Sequence, residues 1–274
     1  MNLTFERNDF KKRVTSMLKV DFRRMFTTSF FYIMLGISFV VPILILVMTS
    51  MMDGMVSVDP QTGKETIMEG FDNVWQIIAT ASVQTSNDAS AQAGMDLMSM
   101  CNINLLYFGA VVLACIFISL DFKCGYAKNL FTVRAKKTDY VLSKTVVLII
   151  CGAIMILTFF VGAMIGGAIS SLSFDVTTVG ASLGEAVCCL IAKMLLMAVF
   201  VPIAVLISVS AKEKTWLCIL GSLGASMLLF TMVSMIAPLN ASIVHVVLCV
   251  AGGATFAIGL GAISNLILNK TRLA

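Results

Sequence analysis

The polar side chains that could carry out chemistry are few in this sequence. No Ser/His/Asp triad or Cys/His metal site is assignable around the single histidine, His245. The segment Gly63-Lys64-Glu65-Thr66 has the ending of a phosphate-binding loop, but Val58 stands where that loop requires an earlier glycine. We therefore predict no catalytic residue and no metal ligand, and we expect this chain not to be an enzyme.

Two charged residues, Glu185 and Lys193, lie within a long apolar stretch. Lys193 follows Glu185 by eight residues, which places it about 12 Å deeper along a helix. A lysine near the bilayer centre costs about 2.5–3.5 kcal/mol on insertion scales, so we expect it to face protein or water. Two interpretations stay open: Glu185 and Lys193 line a transport path, or Lys193 packs at a helix interface against a carbonyl or hydroxyl group.

The elements that must position these residues are indicated by composition. The chain has 274 residues, 59% of them hydrophobic and 12% charged, whereas a soluble domain is about 45–50% apolar and about 25% charged. Such a surplus of apolar residues indicates a protein that faces lipid. Six apolar runs, each near the length of a membrane-spanning helix, lie at about 30–52, 103–120, 141–170, 183–209, 215–237 and 242–268. We predict an all-α integral membrane protein with six spans in a single domain, 1–274.

The distribution of basic residues predicts the orientation. All of the 19 lysines and arginines except Lys64 and Lys193 lie on alternate segments, which the positive-inside rule assigns to the cytoplasm. Both termini are then cytoplasmic, 1–29 is a cytoplasmic and interfacial segment, and 121–144 is a cytoplasmic loop. The acidic segment 53–102 is extracellular, and Phe71, Val74, Trp75 and Ile78 share one face of a short helix that could cap the protein or rest on the membrane.

The end of the N-terminal segment mixes apolar and basic residues in a helical pattern. We expect an interfacial helix that leads into the first span, with aromatic side chains in the membrane surface and basic side chains at lipid phosphates. A simple cytoplasmic extension of the first span is the alternative. The predicted membrane-surface residues are Lys19, Phe22, Arg23, Arg24 and Phe26.

The loop 121–144 carries the most specific pattern. The pattern begins with an acidic residue and, four positions later, a glycine. A hydrophobic pair, a threonine, a basic residue and a final lysine follow. In order, these residues are Asp121, Gly125, Leu130, Phe131, Thr132, Lys137 and Lys144. In this spacing the chain resembles the permease subunits of ABC-2-type transporters, including the bacitracin and lantibiotic export or immunity permeases. Tyr126, Arg134 and Ser143 depart from the usual threonine, proline and glycine of that family.

The resemblance implies a mechanism. The loop would hold a short coupling helix that rests on a separate ATP-binding-cassette ATPase, with Leu130 and Phe131 in an apolar groove and Arg134, Lys136 and Lys137 near acidic groups or anionic lipid. Asp121, Gly125 and Lys144 complete the coupling set. ATP and magnesium would bind the partner ATPase and no cofactor this chain; a second permease copy or a homologous permease would complete a dimer, and no nucleic acid is involved.

The resemblance also implies the task and the location. Export or expulsion of a peptide, an antimicrobial or another amphipathic compound from a bacterial plasma membrane is expected, which would confer antimicrobial peptide resistance. Two other functions stay open. One is a membrane anchor or sensor that acts through the extracellular segment, and the other is a membrane-embedded enzyme.

Overall fold

The fold is a bundle of long helices in a computed structural model that describes residues 2–54, 56–58, 65–67, 70–78, 102–132 and 136–270. This confirms the predicted all-helical architecture. The helices are α1 (Asn2–Thr27), α2 (Ser29–Met52), α3 (Leu105–Lys123), α4 (Tyr126–Thr132), α5 (Lys137–Ile169), α6 (Leu183–Ala211), α7 (Thr215–Ile236) and α8 (Ile243–Lys270).

Helices occur at all six apolar runs. Within the described residues, α2, α3, α5, α6 and α8 are each long and apolar enough to cross a membrane, whereas α7 contributes a shorter apolar stretch, Thr215–Phe230. The count of six spans therefore stays a prediction. Helix α5 begins at Lys137, four residues before the predicted run, so its first turn belongs to the polar loop.

Glycines bring α2 and α5 into close contact. A Cβ atom added at Gly162 would collide with the carbonyl oxygen of Phe39, and one added at Gly166 would lie 2.9 Å from the Cα of Ile43. Small residues let helix backbones approach in membranes. The Gly162–Gly166 pair thus brings two helices of the same chain together.

Helix α6 is covered by several neighbours. It packs along α8, where a Cβ at Gly253 would lie 2.9 Å from that of Ala198, and it also contacts α3, α5 and α7. By contrast, α8 and α2 keep most of their apolar surface exposed. In a membrane, those surfaces face lipid or another subunit.

The end of the bundle opposite to α4 carries a small cap. A two-stranded antiparallel hairpin joins β1 (Val56–Val58) and β2 (Glu65–Ile67), and 3-10 turns lie at Val74–Ile77 and Val176–Val179. The Asn73 side chain donates to the carbonyl of Asp175 at 2.6 Å. The predicted external helix is therefore a single 3-10 turn, and because Val74, Ile77 and Ile78 are buried, it packs on the protein rather than on the membrane surface.

Candidate coupling site

Four charged side chains from three helices meet at the C-terminal end of α3. Asp21 and Arg24 come from α1, Asp121 from the last turn of α3, and Lys144 from α5. The Lys144 Nζ atom lies 2.8 Å from Asp21 Oδ1 and 2.6 Å from Asp121 Oδ2, and Arg24 Nη2 lies 2.6 Å from Asp121 Oδ1. The side chains of Lys144 and Asp121 are fully buried. We call these four residues the charge network.

Hydroxyl groups complete the bonding of the two carboxylates. Ser143 Oγ donates to the second oxygen of Asp21 at 2.6 Å, and the Tyr140 hydroxyl donates to Asp121 Oδ2 at 3.1 Å. Buried charges are tolerated when they are paired and when hydrogen bonds satisfy their remaining lone pairs. The two carboxylates meet both conditions and are balanced by two positive charges, whereas Arg24 Nη1 is buried without a hydrogen-bond partner among the described residues.

Aromatic rings connect the charge network to α4. The guanidinium carbon of Arg24 lies 3.9 Å from the ring centre of Tyr126, the first residue of α4, and Lys144 Nζ lies 4.0 Å from that of Phe117. Burial by itself lowers the pKa of Arg24, but the charge of Asp121 and the hydrogen bond to it outweigh burial and raise this pKa. Burial also raises the pKa of Tyr126, so its ring stays neutral beneath the cation.

A second ion pair joins α1 to α5. Arg13 Nε lies 3.1 Å from Asp139 Oδ2, and the Arg13 side chain is 40% exposed. Asp139 is only 3% exposed, so the pair is half-buried. It fixes α1 along α5 at a second point, about two helical turns before Asp21.

The turn that carries the predicted coupling residues depends on Gly125. This residue has φ +69°, a left-handed conformation in which α3 ends and α4 begins. Leu130 and Phe131 are half-buried against the protein's own core, and the Phe131 ring packs edge-on against Tyr140 at 5.4 Å. Only part of each side chain is therefore open to a partner.

The remaining predicted coupling residues differ in position. Lys136 is exposed, whereas Lys137 Nζ donates to the carbonyl of Leu268 at 2.6 Å and so ties α5 to the end of α8. Asp121 and Lys144 are buried within the charge network, so neither side chain has surface exposed for a partner in this structure. Arg134 lies outside the described residues.

The predicted membrane-surface residues divide in the same way. Lys19, Arg23 and Phe26 are exposed, and the rings of Phe22 and Phe26 stack at 6.0 Å. Arg24, which we expected at lipid phosphates, turns inward and donates a charge-assisted hydrogen bond to the buried Asp121 carboxylate at 2.6 Å.

The two charges of the fourth span are not brought together. Glu185 forms a capping box with Ser182 at the start of α6. Lys193 is fully buried, and its Nζ atom donates to Asn104 Oδ1 at 2.8 Å. This geometry favours the packed interpretation of Lys193 over a path lined by both residues.

Several residues of the site were not predicted from the sequence: Asp21, Tyr140 and Asn104. Asp21 had a visible signal, since it is an acidic residue among basic ones directly before a span. Tyr140 and Asn104 carry no signal of their own in a single sequence, because their roles depend on which helices pack together.

Comparison with known proteins identifies the family. The family model described as ABC-2 family transporter protein matches residues 17–223, a stretch that includes the entire charge network and α4. No curated protein and no solved structure matches the chain. With well over half of its length matched, the chain belongs to the ABC-2 family of transporter proteins, as a multi-pass membrane permease.

Proposed function

We propose that this chain is the permease subunit of a transporter that expels a peptide, an antimicrobial or another amphipathic compound from a bacterial plasma membrane. A separate ATP-binding-cassette subunit binds ATP and magnesium and supplies the energy. A second permease, identical or homologous, completes the transport path. Both termini and α4 lie on the cytoplasmic side, where the basic residues concentrate.

The charge network is the observation that carries this proposal. Through Arg24 and Tyr126, α4 is connected to α1, and through Asp121 and Lys144 the same network reaches α3 and α5. Buried ion pairs with fixed partners favour movement as a rigid body over gradual deformation. A force on α4 is thus passed to an interfacial helix and two spans at once.

The exposed side of α4 suits a docked partner. Lys128 is exposed beside the open parts of Leu130 and Phe131, and Lys136 is exposed just before α5. An apolar pair with basic residues on both sides matches an apolar groove with an acidic rim. Lys212 and Lys214, in the turn after α6, would extend the basic surface of the cytoplasmic side.

An apolar cavity supports the amphipathic class of substrate. A cavity of about 360 Å³ lies between α2, α3, α5 and α7, and Met34, Phe108, Met155 and Phe159 line it. Its one polar lining residue, Ser38, already donates its hydroxyl to the Met34 carbonyl. Such a lining can bind the apolar part of a substrate, and flexible methionine side chains adapt to apolar groups of different shapes.

Copurification tests the proposal. The permease extracted in mild detergent should carry an ATP-binding-cassette subunit, and the double variant Leu130→Asp/Phe131→Asp should lose it. Asn129→Asp places a charge on the same helix, at an exposed position, and should retain the subunit. A wild-type permease without any ATPase would favour the anchor or sensor function; an unchanged double variant would refute docking through α4.

A further inference from the structure

A second polar site lies far from the charge network, between α3 and α6. Lys193 is 0% exposed there, and its Nζ atom makes one hydrogen bond, to Asn104 Oδ1 at 2.8 Å. A lysine ammonium offers three donors. Within the part of the chain that the structure describes, no carboxylate forms an ion pair with it.

Asn104 adds unpaired donors at the same place. It precedes the first residue of α3, is 0% exposed, and turns its carbonyl oxygen toward Lys193. Its Nδ2 atom is buried and has no hydrogen-bond partner among the described residues. The two side chains thus present several N–H groups in a buried space and use only one acceptor between them.

The neighbouring polar groups are already engaged. The Tyr107 hydroxyl donates to the Lys193 carbonyl at 2.8 Å, and Cys189 Sγ donates to the Ala237 carbonyl at 3.6 Å. The other buried neighbours of Lys193 on α6 are apolar, including Ala192, Leu196 and Met197. Among the residues that the structure describes, no side chain therefore neutralises the ammonium.

A buried cation without a counter-ion is strongly unfavourable. A site lined by donors selects a ligand that only accepts hydrogen bonds, and the positive charge selects a negative one. We propose that Lys193 and Asn104 hold a small monovalent anion, either free chloride or the carboxylate of a small molecule. The anion bridges α3 and α6. This site does not depend on the ATPase partner.

Thermal unfolding of the purified permease in detergent tests the site. Chloride or formate is titrated against gluconate at constant ionic strength, since gluconate is too large for an enclosed site. The melting temperature should rise by about 3 °C between 1 and 100 mM of the small anion. A response to both anions indicates a general small-anion site, and a response to formate alone indicates a carboxylate site.

Two variants separate this site from other effects. Asn104→Asp supplies an internal carboxylate to Lys193, so it should melt higher than the wild type in gluconate and no longer respond to chloride or formate. Lys193→Met removes the cation and should also lose the response. Lys136→Met, at an exposed position, should keep the full response.

The proposal fails on either of two results. One is a wild-type melting temperature that does not change with chloride or formate. The other is a response that persists in Lys193→Met, which would place the anion elsewhere. If Asn104→Asp does not fold, the comparison of Lys193→Met with Lys136→Met still decides the question.

Discussion

The Lys144→Met substitution removes the cation that joins both carboxylates of the charge network. Methionine keeps the length of the side chain and loses its charge. At separations of 2.6 and 2.8 Å, the Coulomb attraction is about 6 kcal/mol per pair at an effective dielectric constant of about 20. Because desolvation offsets most of this attraction, we expect a net loss of about 3–5 kcal/mol, typical of a buried pair that loses one partner.

The loss of Lys144 should destabilise the two buried carboxylates to different degrees. Without Lys144, Asp121 keeps its ion pair with Arg24 and the Tyr140 hydroxyl, whereas among the described residues Asp21 keeps the Ser143 hydroxyl and only a longer-range attraction to Arg24. Asp21 is therefore the buried carboxylate that loses its ion pair. Adding Asp21→Asn to Lys144→Met should recover part of the lost stability, and adding Asp121→Asn should recover less.

Thermal and denaturant unfolding in detergent measure these differences, and the double variants complete two thermodynamic cycles. Lys136→Met serves as the control, since Lys136 is an exposed basic residue of the same loop. The reasoning would be refuted if Lys144→Met unfolded within about 0.5 kcal/mol of the wild type, the range of ordinary surface substitutions. Greater rescue by Asp121→Asn would also contradict it.

Three other perturbations test separate parts of the fold. Gly162→Leu should destabilise the protein by about 1–3 kcal/mol or more through collision with α2. The control Gly36→Leu, at a glycine with open space around it, should leave stability unchanged. The free energies of unfolding of the two variants are compared. Gly125→Ala should cost about 1–2 kcal/mol of unfolding free energy from its left-handed φ alone, and equal stability would show that the turn relaxes. The N–H and hydroxyl of Thr177 hold the pKa of Asp175 below its ordinary value of 3.8. The stabilisation of this turn is present above that value and is lost as the pH falls through the lowered pKa, so the protection of 173–180 from hydrogen exchange should fall below pH 3.8.

The positions of the spanning helices could be predicted from the sequence because the bilayer imposes a length and a hydropathy on each. The predicted run 183–209 agrees within two residues at each end with helix α6, Leu183–Ala211, and the run 242–268 agrees equally well with helix α8, Ile243–Lys270. The predicted start of helix α5 lies too late in the sequence, because its first turn is polar and hydropathy alone detects only the apolar part of a helix. The helix nevertheless continues, since Tyr140, Ser143 and Lys144 bury their polar groups against α1 and α3.

The candidate site was predicted only in part. The family spacing selected Asp121, Gly125 and Lys144 as coupling residues; the structure buries Asp121 and Lys144 in the charge network and places Gly125 at the turn between α3 and α4. Their burial depends on the packing of α1 across α3 and α5, which no local pattern encodes. Arg24 shows the same difficulty, because a basic residue before a span fits lipid contact and an inward ion pair equally well until its partner, Asp121, is known.

The central claim is that α4 is where a separate ATPase contacts this permease, and native Cys124 tests it directly. Cys124 is exposed two residues before α4, Cys188 is partly exposed, and Cys115, Cys151, Cys189, Cys218 and Cys249 are buried; Cys101 lies outside the described residues. A photoactivatable maleimide attached there in membranes should give an adduct that contains an ATP-binding-cassette subunit, and Cys124→Ser should remove that adduct. Adducts of Cys124 that contain only lipid or a second permease, with the ATPase present, would contradict the account.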